Sequence, residues 1–194
     1  MCILAQSLQG EKGESREPLP EGGAKHERSP ALLRRTRGRM LCMKTLANAN
    51  DRIEILNRLR AVRPTSHRQW GRMTPHEMLC HLSDAFRSCL GEREVRPASR
   101  WIPRTPFRWA ALWVPMPWPH GVQGPAEWDP KAAGTTPKEF ESDMKELKKL
   151  IDRYTRRPGN FKWPAHPFFG RMSGADYMRL GYLHLDHHLR QFGA

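Results

Sequence analysis

The stretch Thr74-Pro75-His76-Glu77-Met78-Leu79-Cys80-His81-Leu82-Ser83-Asp84-Ala85-Phe86-Arg87-Ser88-Cys89-Leu90-Gly91 reads as one helix with both ends marked. Thr74 is a cap. Pro75 takes the first helical position, where a missing N–H matters least. Glu77 stands three residues after the cap, placed to bond back to its backbone N–H. Met78, Leu82, Ala85, Phe86 and Cys89 recur at helical spacing, and Gly91 supplies the stop. Such a stripe must pack on other helices.

Similar punctuation recurs on both sides. Ile53, Leu56, Leu59 and Val62 predict a helix from about Asn50 to Arg63, ended by Pro64. Thr136-Pro137-Lys138-Glu139 repeats the capping box. Phe140, Met144, Leu147, Leu150, Ile151 and Tyr154 follow it, and Pro158-Gly159 closes the helix. A last helix is predicted from near Ser173 to Gln191. Between the second and third lies a long connection over about 100–135 with Trp101, Trp109, Trp113, Trp118 and Trp128. Within it, Thr105 to Val114 reads as a short helix. No strand pattern or internal repeat stands out. Four amphipathic helices with one long crossover predict an all-α four-helix bundle.

The chain has 194 residues and a net charge of +13 from 33 Lys/Arg and 20 Asp/Glu. No apolar run approaches the ~20 residues of a membrane span. The first eight residues lack the basic start of a signal peptide. Cys2, Cys42, Cys80 and Cys89 form no CxxC pair and no disulfide framework. A soluble, cytoplasmic protein is therefore expected. Residues 1–42 read as a disordered basic extension, with Arg34, Arg35, Arg37 and Arg39 clustered and no aromatic residue between Gly10 and Met40. Translation starting at Met43 is the companion reading. Residues 43–194 are expected to form the folded domain. They keep 25 basic and 15 acidic residues, net +10, so the extension is not the main source of charge.

Nine histidines are many for this length, and three fall within five residues, His184, His187 and His188. His184 and His188, four apart, share one helix face and can chelate one divalent ion. His187 is turned from His188 by about 100°, which suits an outer or surface position. Gln191 returns to the face of the pair, placed to orient a ligand. His81, mid-helix among Leu79, Leu82 and Phe86, needs a partner when buried. That partner is either a metal or an ordinary hydrogen bond. His76 and His81 are five apart, so HExxH is excluded. Glu77 is either a second-shell acceptor or only the capping glutamate. His166 is either a group at the site mouth or a loop anchor. His120 and the tryptophans of the crossover either roof a pocket, pack as a lid or form a dimer face. Tyr177 and Cys80 read as packing.

The segments Trp70 to Leu82, His166-Pro167-Phe168-Phe169-Gly170 and Leu183 to Gly193 resemble the DinB-like superfamily, in its branch of small bacterial proteins of unknown function. The resemblance covers about Met43 to Ala194. It implies a four-helix bundle holding a divalent ion (Zn, Ni or Fe) on a histidine triad, His81, His184 and His188. It also implies metal-dependent chemistry on a small molecule: a transferase using a low-molecular-weight thiol, or a hydrolase, with thiolate or water at the ion's open position. The alternatives are a non-catalytic, metal-stabilised bundle and a basic nucleic-acid-binding protein; a homodimer is a candidate assembly under any of these readings. Nucleic acid is disfavoured. No binding motif is present, and only Arg100, Arg104 and Arg108 interleave with aromatics, at Trp101, Phe107 and Trp109.

Overall fold

The computed structural model describes residues 43–97 and 104–194. Residues 1–42, read as a basic extension, lie outside them, as do Arg100 and Trp101. Among the described residues the protein is all-α: α1 Ala49–Ala61, α2 Pro75–Cys89, α3 Arg104–Trp113, α4 Phe140–Thr155 and α5 Gly174–Gln191, with a 3-10 turn at Ala126–Trp128 and no strand. No described helix is long and apolar enough to cross a membrane.

α2 begins as its sequence requires. Thr74 Oγ1 accepts from Glu77 N–H, and Glu77 accepts from Thr74 N–H. Gly91 follows the helix at φ +78°, a conformation that favours glycine. Nearly every side chain of α2 is buried, because it packs against α4, α5 and the 3-10 turn. Leu79, Leu82 and Phe86 meet Leu147, Ile151 and Tyr154 of α4 and Leu185 and Leu189 of α5 in one core. Phe86 and Tyr154 stack edge to face at 4.8 Å. Gly181 lets α5 approach α4, since a Cβ there would lie 3.1 Å from the Tyr154 ring and 2.7 Å from Leu46.

Two expectations are corrected. Of the expected stripe, Leu59 and the C-cap Val62 are buried and Leu56 packs against the core, whereas Ile53 is 57 % exposed and Ile55 is buried instead. Two residues turn a helix by about 200°, so Ile53 and Ile55 cannot both face the core. The helix also ends at Ala61, before Pro64. The second correction concerns α4, which does not start at a Thr136 capping box. Its cap is Glu139, whose carboxylate accepts from Glu141 and Ser142 N–H. The preceding segment is held elsewhere. Asp84, fully buried on α2, accepts from Thr135 N–H at 2.6 Å and Thr135 Oγ1 at 2.7 Å, and Lys138 N–H donates to Asp143. These bonds keep 135–139 out of the helix.

α3 matches the short helix expected in the crossover and packs on α5. Trp113 Nε1 donates to Asp176 at 3.0 Å, tying the crossover to the first turn of α5. Ser173 and Asp176 form a second capping box there.

Candidate metal centre

α2 and α5 lie side by side, and His81 of α2 faces His184 and His188 of α5. One ring nitrogen from each histidine lies within 4.8 Å of the others. His81 Nε2 and His184 Nε2 lie 3.1 Å apart. His81 and His188 are buried, and His184 is partly so.

Hydrogen bonds set the tautomers. His81 Nδ1 lies 3.0 Å from the carbonyl oxygen of Trp128, which can only accept, so Nδ1 carries the proton and Nε2 presents its lone pair to the cluster. His188 Nδ1 lies 3.0 Å from Gln191 Oε1. The Gln191 amide is itself oriented, because its Nε2 donates to the Trp70 carbonyl at 2.9 Å. His188 Nδ1 is therefore also a donor, and its Nε2 is free. Removal from water pushes the pKa of all three histidines down. The neighbouring imidazoles add to this at His184 and His188. The cluster is thus neutral, the form in which imidazole binds metal.

This donor set fits a divalent ion. His81 Nε2 and His184 Nε2, 3.1 Å apart, are bridged either by a proton on His184 Nε2 or by a cation. Nitrogens held about 2.0–2.1 Å from one ion at a near-tetrahedral angle span a similar distance. Neutral imidazoles suit Zn, Ni, Cu and Fe.

The other predicted positions separate. Gln191 lies where its spacing placed it and orients His188. His187 is half-buried beside the cluster, its ring centroid 5.9 Å from Trp70 and 6.0 Å from His120. His120 stacks flat on Trp70 at 4.0 Å. Trp118 lies 6.1 Å from both His184 and His187. Part of the crossover therefore does cover the histidines.

Glu77 is not a second-shell group. Its carboxylate is occupied by the Thr74 cap and by Lys131 at 3.2 Å. His166 anchors its loop. Its Nδ1 accepts from Phe168 and Phe169 N–H at 3.3 Å, its backbone pairs with Gly170, and burial pushes its pKa down to about 3. Tyr177 donates to the Pro164 carbonyl at 2.5 Å and belongs to the core. Cys80 points to Asp143, 3.6 Å away, and burial pushes its thiol up to about 12, so it offers no thiolate. His76 meets the same carboxylate at 2.7 Å. The carbonyl oxygens of Trp128 and Trp70 were not legible from sequence, since any residue type carries one.

Residues 96–194, 99 of the 194, match the family model described as protein of unknown function (DUF1569). The matched span contains His184 and His188 but not His81. No curated protein and no solved structure matches the chain.

Proposed function

The chain belongs to the DUF1569 family, and we propose that it is a divalent-metal-dependent enzyme whose ion is held by His81, His184 and His188. In this reading residues 43–194 are a four-helix bundle of the DinB-like kind, and α3 is part of the crossover. The observation that carries the proposal is the cluster of three neutral imidazoles with two outer nitrogens already fixed by Trp128 and Gln191. Three protein ligands leave a tetrahedral ion one open position, the arrangement of catalytic rather than structural sites.

A bound ion would supply Lewis acidity at that position. The protein's own part is to keep the imidazoles deprotonated, to orient them and to cover them with Trp118 and Trp128. With no thiolate on Cys80, the nucleophile is an external thiol or water. The substrate is a small molecule, and the reaction a thiol-dependent transfer or a hydrolysis. A second reading, a non-catalytic ion that staples the fold, rests on the ligands coming from two different helices, α2 and α5.

Metal analysis of the purified full chain tests the site. Near-stoichiometric Zn, Ni or Fe is expected, and the His184→Ala/His188→Ala double variant should lose it. Metal retained by that variant would overturn the ligand assignment. A screen of thiols with electrophiles then separates the enzyme from the staple.

A further inference from the structure

Trp128 has a buried indole nitrogen with no partner. Nε1 is one of two buried side-chain polar atoms without a hydrogen bond among the described residues. Other crossover indoles are satisfied: Trp113 donates to Asp176, and Trp118 to the Ala111 carbonyl at 2.8 Å. A buried unpaired donor is costly, and Trp128 is only 5 % exposed. It is also held in place, because its carbonyl carries the His81 bond and its ring lies against His81, His166 and His184.

Two cavities share lining residues beside it. A small one of about 20 Å³ is lined by Trp128, His184, His166 and Cys89. It has room for one water-sized group. A larger groove of about 450 Å³, lined by Ser88, Arg93, Pro164 and Ala165, shares His166 and Cys89 with it. That volume lies in the range of small-molecule sites. Cys89 and His166 thus border both the groove and the small cavity, whose lining includes His184.

We infer that Trp128 Nε1 is the hydrogen-bond donor for a ligand that enters by this groove, and that the ligand presents a small acceptor atom, such as an oxygen or nitrogen of an anion, beside His184. The inference rests on the metal reading above and makes Trp128 a positioning residue of that site. It also gives the ligand a polarity: the atom facing Nε1 must be able to accept, because an indole N–H has no lone pair to offer.

The probe is azide, whose terminal nitrogen accepts hydrogen bonds. Full-length wild type, Trp128→Phe and Ala165→Trp are loaded with Co²⁺, and the bound metal is counted first. Azide is then titrated against the cobalt visible bands. Trp128→Phe should take up Co²⁺ normally and bind azide about tenfold more weakly, as expected for one lost hydrogen bond. Ala165→Trp, an exposed groove position, should slow azide association at least tenfold. In ¹⁵N-labelled wild type with Zn²⁺, azide should shift one indole N–H resonance. Wild type that takes up no Co²⁺ overturns the metal reading. Wild type that takes it up, with no indole shift or with equal azide affinity in Trp128→Phe, overturns the role of Trp128. Unchanged association in Ala165→Trp overturns the route.

Discussion

His188 Nδ1 donates to Gln191 Oε1 over 3.0 Å, one helical turn further along α5. The bond fixes the tautomer of a buried imidazole. It depends on a second bond, because without the Trp70 carbonyl the Gln191 amide could present its NH₂ instead. Gln191→Leu should therefore leave the fold intact and lower metal affinity by about 10- to 100-fold, the usual effect of losing an outer-shell partner. Competition with a chromophoric chelator measures it. Unchanged affinity would show that His188 needs no orientation.

Gly71 leaves room for the same amide. Its φ is +77°, and a Cβ would lie 2.5 Å from Gln191 Nε2. Gly71→Ala should cost about 1–2 kcal/mol from the left-handed backbone alone. By displacing Gln191 it should also weaken metal binding. Urea unfolding and the chelator titration report the two effects separately.

Asp84 is the buried anchor that joins α2 to the segment before α4. Its carboxylate takes Arg87 at 3.1 Å and Arg93 at 2.9 Å besides Thr135, and it is fully buried. Asp84→Ala should destabilise the protein by about 3 kcal/mol, because it strands two guanidinium groups and frees Thr135. Both arginines keep about a quarter of their side-chain surface exposed, which holds the loss to the lower end of the range for a broken buried pair. A shift in urea midpoint at constant m-value checks it.

Acid should destabilise the metal-free protein through His166. Its folded pKa is about 3, and an unfolded histidine titrates near 6.5. Between these values the unfolded chain binds the extra proton, so stability falls as pH drops below about 6.5 and continues to fall to about 3. The slope attributable to this group is about 1.4 kcal/mol per pH unit. His166→Asn keeps an acceptor for Phe168 and Phe169 N–H and does not titrate. It should flatten the acid limb by one proton, measured as unfolding free energy between pH 4 and 7 in chelator.

The α2 helix was legible from Thr74 to Gly91 because its stop signals and its capping box are local: each bond joins residues within four positions. The same rule explains the error at Thr136. Thr136-Pro137-Lys138-Glu139 carries the same local pattern as Thr74 to Glu77, yet it starts no helix, because a distant carboxylate, Asp84, takes the adjacent Thr135. Ile53 and Ile55 were separable only once α5 defined which side of α1 is inside.

The histidine site divides in the same way. Spacing placed His184, His188 and Gln191 on one face of α5, since a helix repeats every 3.6 residues wherever it occurs. His81 lies 103 positions from His184, and no periodicity spans that distance. Packing of α2 against α5 brought the two nitrogens to 3.1 Å, and the crossover supplied the backbone carbonyl that orients His81. Local order follows from neighbouring residues, whereas the meeting of distant ones depends on which faces are buried together.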